Sequence, residues 1–144
     1  MLRVTDTSAR RAALGAKVLV AEDHEDTRYL LRTFLEKRGL SVVEATDGFQ
    51  AVDVAEREHP DLILMDGGLP LLDGVAATRL LRRMPGLSDI PIVFLSGHAE
   101  NKFQTAALDA GCNEFVVKPF DLTGLGQILN RHLTERVVRQ KEGA

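Results

Sequence analysis

Three carboxylates and one lysine stand where apolar runs end. Asp66 closes Leu62-Ile63-Leu64-Met65, Val18-Leu19-Val20-Ala21 runs into Glu22-Asp23, and Phe115-Val116-Val117 runs into Lys118-Pro119. A carboxylate after four residues of buried type is poorly explained as core or as solvated surface. The four groups together suit a hard cation and a phosphoryl group. Mg²⁺ takes one or two carboxylates, several waters and phosphate oxygens, and phosphoryl transfer needs mainly positioning and cations. A carboxylate can itself be the nucleophile and form an acyl phosphate, provided repulsion with the donor is offset. Lys118 would supply a compact positive charge. Clustered acids raise one another's proton affinity, and a bound cation reverses that.

Such a constellation needs elements that bring the run ends together. Val18 to Ala21 is short, continuous and apolar, as in a strand covered on both faces. Tyr29, Leu30, Leu31, Phe34 and Leu35 recur at helical spacing up to Gly39, a stop signal. Ser41 to Ala45 reads as a second strand, Asp47-Gly48 as a turn, and Ala51, Val52 and Ala55 as a second helix face before Pro60. Asp61 to Asp66 is the third strand, followed by the non-helical loop Gly67-Gly68-Leu69-Pro70. A helix is expected from Val75 to Met84, a strand from Pro91 to Leu95, a helix from about Asn101 to Ala110, and a strand from Glu114 to Val117. Asp121 would cap a last helix lined by Leu122, Leu125, Ile128, Leu129 and Leu133, which Gly124 and Gly126 weaken.

Five βα units in a row imply an α/β fold: a doubly wound, five-stranded parallel sheet with helices on both faces. Strand order 2-1-3-4-5 puts strands one and three side by side at the switch point, where ligands sit at the carboxyl ends. That is where the acids fall.

Composition is compatible with this. The 144 residues, 44% hydrophobic and 27% charged, suit one soluble globular domain. A net charge of −3 speaks against a general nucleic-acid binder. The single Cys112 cannot form an intramolecular disulfide, as expected in a reducing, cytoplasmic setting, and reads as a small buried hydrophobe. No apolar run approaches the roughly 20 residues of a membrane helix. Residues 1–16 are expected to be an N-terminal tail, 17–137 the domain, and 138–144 a C-terminal tail.

The chain resembles the receiver domain of bacterial two-component response regulators, of the single-domain, chemotaxis-regulator-like kind. The matching pieces are Val20-Ala21-Glu22-Asp23, Pro60 through Asp66, Leu69-Pro70 with Asp73-Gly74, Pro91 through Gly97, and Gly111 through Lys118-Pro119-Phe120. The resemblance runs from Lys17 to about Leu133 and implies a flavodoxin-like fold. It implies that Asp66 takes a phosphoryl group from a phosphohistidine on a sensor kinase or phosphotransfer protein. Asp23 and Asp66 would be direct Mg²⁺ ligands, with the main-chain carbonyl of Gly68 as the third and Glu22 acting through water. Ser96 would be the switch hydroxyl and Phe115 the conformational aromatic, without the hydroxyl of the tyrosine often found there. Gly97 fits the small residue that follows, and Lys118–Pro119 is a candidate cis peptide. His98 is read as a rim residue tuning access; His24, His59 and His132 show no metal-ligand spacing.

The resemblance further implies no enzyme beyond catalysis of its own phosphorylation and dephosphorylation. It implies an unidentified downstream protein target contacted through the fourth helix, fifth strand and fifth helix, and a possible homodimer. Three other readings compete. A Mg²⁺-dependent aspartyl-phosphate hydrolase would need an aspartate where Gly68 stands. A flavin carrier would need a hydroxyl- and glycine-rich loop where Glu22-Asp23-His24-Glu25-Asp26 would repel phosphate. A phosphorylation-independent scaffold would not need the intact constellation. Met1 and the complete set of elements are expected of a single-domain regulator, with no nucleic-acid-binding output unit after Phe120.

Overall fold

The computed structural model describes residues 15–143, with side chains described as far as Arg136. Among these residues the chain alternates strand and helix throughout. The strands are β1 (Lys17–Ala21), β2 (Ser41–Ala45), β3 (Leu62–Asp66), β4 (Ile92–Ser96) and β5 (Glu114–Val117). The helices are α1 (Glu25–Lys37), α2 (Gly48–Glu58), α3 (Gly74–Arg83), α4 (Asn101–Ala110) and α5 (Leu122–Gly143). The sheet is parallel, in the order β2-β1-β3-β4-β5.

The two-residue period of the strands divides the core. Leu19, Ala21, Ile63, Met65, Ile92 and Phe94 pack on one face with Ala51, Ala55, Ala77, Leu81 and Ala107 of α2, α3 and α4. Val18, Val20, Leu62, Leu64, Val93 and Leu95 pack on the other with Leu31 and Leu35 of α1 and Leu125, Leu129 and Leu133 of α5. Burial on both faces explains why the central strands read as continuous apolar runs.

Register levels the site residues. Ala21 pairs with Met65, so the next residue on each strand, Glu22 and Asp66, stand side by side. Val20, Leu64 and Val116 pack on the same face, so Glu22, Asp66 and Lys118, each two residues further, continue on it.

Element ends follow local chemistry. Asp47 and Asp73 cap α2 and α3 by accepting from the amides of Gln50 (2.8 Å) and Ala76 (2.9 Å). Asp121 caps α5, accepting from Thr123 and Gly124. Gly74 must be glycine, because a Cβ there would stand 2.5 Å from the Asp66 carbonyl oxygen. Lys118–Pro119 is cis.

Several sequence expectations need adjustment. Tyr29 and Leu30 are exposed at 70% and 47%, so the buried stripe of α1 is Leu31 and Leu35, with Phe34 packed alongside. Asp61 precedes β3 and accepts from the Lys17 amide through its carboxylate, closing the start of the sheet. Pro91 precedes β4, while Ser96 belongs to it. Gly126 does not interrupt α5; its bare surface lies against Phe34 and Arg38, where a Cβ would approach within 3.3 and 3.1 Å. The backbone of α5 stays helical past 137 to Gly143. Of the tail expected over residues 1–16, residues 1–14 lie outside the described residues, and Ala16 accepts from the Ser41 amide.

Candidate functional site

The acids that follow β1 and end β3 meet the lysine that follows β5 at one point above the sheet. Lys118 Nζ donates to Asp66 Oδ1 at 2.8 Å and to Glu22 Oε1 at 2.9 Å. Asp66 is 5% exposed and Glu22 1%. Lys118 reaches them from 52 and 96 residues away in sequence, so the cluster exists only in the folded sheet.

Each ionisable group responds to this arrangement. Burial raises the pKa of Asp66; the Lys118 hydrogen bond opposes the rise, and the charges of Glu22 and Asp23 add to it. Burial pushes Glu22 the same way, but its hydrogen bonds from Lys118 and the His24 amide outweigh that and hold its carboxyl below the usual value. Lys118 would lose proton affinity through burial, yet its two carboxylate partners raise its pKa. The cluster is therefore an ammonium shared between a firmly ionised Glu22 and an Asp66 that ionises less readily.

Both carboxylate oxygens of Glu22 have partners in the protein. Its Oε2 accepts from the His24 amide at 3.1 Å and lies 3.2 Å from His24 Nδ1. His24, an exposed residue, has its pKa raised by that carboxylate and by Asp23. Asp23 differs: its Oδ1 is buried and makes no hydrogen bond, its contact with His24 Nδ1 standing at 3.4 Å. A buried carboxylate oxygen left without a donor is costly unless something else satisfies it. Glu22, Asp23 and His24 place one ligating atom each within 4.8 Å of one another. The Asp23 carboxylate and the Asp66 oxygen that Lys118 leaves free are hard oxygen donors of the kind Mg²⁺ takes.

Gly68 sits in the open loop after β3. A Cβ on it would lie 3.8 Å from Asp66 Oδ2, the oxygen Lys118 leaves free. Ser96, at the end of β4 and 5% exposed, turns its hydroxyl toward the following loop. That hydroxyl accepts from the His98 amide at 3.0 Å and donates to the His98 carbonyl at 3.3 Å. Phe115 is half-buried and stacks on Phe94, with ring centroids 5.7 Å apart and planes 13° from parallel. Phe94 in turn fills the space beside Gly67 and Gly74, where added Cβ atoms would meet its ring at 2.7 and 3.1 Å. His98 stacks on Phe103 at the rim, with centroids 4.5 Å apart.

The structure thus gathers Glu22, Asp23, Asp66 and Lys118, with Gly68 beside them. Ser96 and Phe115 lie on adjoining strands with other partners. Two residues were not singled out in the sequence. Phe94 looks there like any core aromatic. Arg28 looks like an exposed helix arginine, although its position one turn into α1 after the acid pair was a usable signal.

Comparison with known proteins fits this geometry. Residues 18–130 match the family described as the response regulator receiver domain. The receiver domain of the sensor histidine kinase PA1611 from Pseudomonas aeruginosa PAO1 was solved with a magnesium ion coordinated in its active-site cleft. It is 37% identical, with a TM-score of 0.78 over 83% of this chain and 98% of that one. The chemotaxis protein CheY4 of Vibrio cholerae is 26% identical, with a TM-score of 0.77 over 81% and 98%. The KDP operon transcriptional regulatory protein KdpE of Escherichia coli K12 is 40% identical over 114 residues, 79% of this chain and 48% of KdpE. The chain spans less than half the length of curated relatives such as this one. Among the described residues no helix is long and apolar enough to cross a membrane. The chain belongs to the receiver domain family of two-component response regulators, the Mg²⁺-binding modules of phosphorelay signalling.

Proposed function

We propose that Asp66 is the phosphoryl acceptor of this receiver domain, served by Lys118 and by a Mg²⁺ site at Asp23, Asp66 and the Gly68 carbonyl. The observation that carries the reading is the Lys118 ammonium shared between buried Asp66 and buried Glu22. In the transfer, an Asp66 carboxylate oxygen bonds to phosphorus as the phosphorus–nitrogen bond of a phosphohistidine breaks. The departing imidazole keeps the electron pair and takes up a proton. Asp66 Oδ2, free of Lys118, is the oxygen able to attack phosphorus. Bound Mg²⁺ would neutralise charge on the phosphoryl oxygens. Lys118 holds Asp66 in place and stands ready to follow the charge onto the new phosphoryl group. Glu22 keeps Lys118 from leaving with solvent, a task that needs no contact with the cation.

Ser96 must release His98 before its hydroxyl can donate to a phosphoryl oxygen. That exchange would free the loop between β4 and α4. Phe115 would follow only by giving up its stack on Phe94. Phe103 and Leu108 on α4 and Val117 on β5 are exposed apolar residues on elements read as the surface for a protein target. The donor is read as a histidine kinase or phosphotransfer protein, and catalysis as confined to the chain's own phosphorylation and dephosphorylation. The buried, unpaired Cys112, its thiol pushed up to about 11 by burial, suits a cytoplasmic setting.

The test is incubation with acetyl phosphate and Mg²⁺, followed by intact mass. The parent should gain one phosphoryl group and Asp66→Asn none while retaining its fold. Full labelling of Asp66→Asn would overturn the assignment.

A further inference from the structure

The turn that carries Asp23 is held by a residue of the next helix. Arg28, in the first turns of α1, donates through Nη1 to the main-chain oxygen of Glu22 at 3.0 Å. Its guanidinium is largely covered, with the side chain 18% exposed, and its Nε lies 3.7 Å from Glu44 Oε2 in β2. The other Glu44 oxygen lies 3.7 Å from Arg32 Nη1. Glu44 is thus braced between two arginines one turn apart on α1.

This contact acts on Asp23 through covalent geometry. The Glu22 carbonyl and the Asp23 amide belong to one planar peptide unit, so fixing the Glu22 oxygen fixes the plane that leads into Asp23. On the other side, the Glu22 amide donates to the Ala45 carbonyl at 3.0 Å, the last ladder bond to β2. The Glu22 side chain is anchored by Lys118 and His24. Asp23 is anchored more weakly: its Oδ1 makes no hydrogen bond and lies 3.4 Å from Nδ1 of the exposed His24. Its direction therefore rests chiefly on the backbone, which Ala45 and Arg28 hold.

We propose that Arg28 is a positioning residue for the divalent cation, held by Glu44 and acting through the Glu22–Asp23 peptide. The inference rests on reading Asp23 as a metal ligand. It has a sign that separates it from electrostatics. A guanidinium beside an acidic site repels a cation, so deleting it should tighten metal binding if charge alone mattered. If positioning matters more, deleting it should weaken binding. Groups that orient metal ligands typically contribute about 10- to 100-fold in affinity. A main-chain contact supported on its other side by Ala45 belongs at the low end.

The experiment is Mg²⁺ titration of the full chain followed by ¹⁵N amide shifts, with thermal melting of each protein. Arg28→Met should bind Mg²⁺ about tenfold more weakly. Arg28→Gln, which keeps a donor without the charge, should recover part of that loss. Glu44→Gln, which loosens the guanidinium without removing it, should lose a smaller factor and covers the case in which Arg28→Met fails to fold. Acetyl phosphate labelling at saturating Mg²⁺ should remain in all three. Unchanged or tighter Mg²⁺ binding in folded Arg28→Met, or unchanged binding in Glu44→Gln when only that variant folds, would overturn the proposal. An Asp23→Asn protein that binds Mg²⁺ as the parent does would instead overturn the metal-site reading beneath it.

Discussion

Replacing Gly68 with methionine should slow loss of the phosphoryl group from Asp66 without disturbing the metal site. The Cβ of residue 68 would lie 3.8 Å from Asp66 Oδ2, an ordinary van der Waals distance, so the substitution can be accommodated. Gly68 is not among the glycines with positive φ, which are Gly15, Gly39, Gly86 and Gly111. A side chain there meets no left-handed strain, and the main-chain carbonyl can keep its direction. Three further heavy atoms of methionine would extend from that Cβ beside Asp66 Oδ2, the oxygen proposed to carry the phosphoryl group. Hydrolysis needs in-line placement, and misplacement by about 1 Å can cost 10²-fold. A flexible side chain that shades the path part of the time should cost less, about three- to tenfold, or roughly 0.7–1.4 kcal/mol of barrier. Phosphorylated parent and Gly68→Met protein, freed of acetyl phosphate, would be followed by intact mass over time at saturating Mg²⁺. Slower decay with Mg²⁺ affinity within about twofold of the parent is the expected result. An unchanged decay rate with normal metal binding would refute the access argument. Weakened metal binding would show that Gly68 serves the backbone instead.

Asp66→Asn should stabilise the metal-free protein at neutral pH. The folded pKa of Asp66 is raised, so its protonated form stabilises the fold below the unfolded pKa, and that contribution is lost as pH rises through the folded one. Thermal melts in chelator should therefore show a gain on the order of 1 kcal/mol near pH 7, shrinking toward acid; a gain independent of pH would contradict the cause given. Asp23→Asn should weaken Mg²⁺ binding more than Glu22→Gln, since both Glu22 oxygens already have partners in the protein. Equal Mg²⁺ affinities in ¹⁵N titrations would count against that. Asp73→Ala, which removes the cap of α3 beside the Asp66 loop, should cost about 1 kcal/mol in denaturant unfolding.

The part of the site carried by strand ends was legible in the sequence. Continuous apolar runs declare buried parallel strands, and a strand's last residue is a geometric address, so Asp66, Glu22-Asp23 and Lys118 could be placed together from their positions alone. The helix cap at Asp121 was legible for the same local reason. Contacts fixed by side-chain direction were not. Nothing in the sequence places the Ser96 hydroxyl against the main chain of His98, two residues on. Tyr29 and Leu30 have the spacing of a buried stripe but lie on the outer side of α1. Arg28 depends on a turn between strand and helix whose course only the folded chain defines. Gly126 was read as a weakness of α5, yet it lets that helix approach Phe34 and Arg38. Intrinsic propensity yields there to packing.

The most direct measurement is chemical trapping of the modified residue. The protein would be phosphorylated with acetyl phosphate and Mg²⁺ and reduced with borohydride, which converts an aspartyl phosphate to homoserine. Peptide mapping should then find homoserine at position 66 and aspartate unchanged at Asp23. Homoserine at any other position, with aspartate intact at 66, would contradict the assignment of Asp66 as the acceptor.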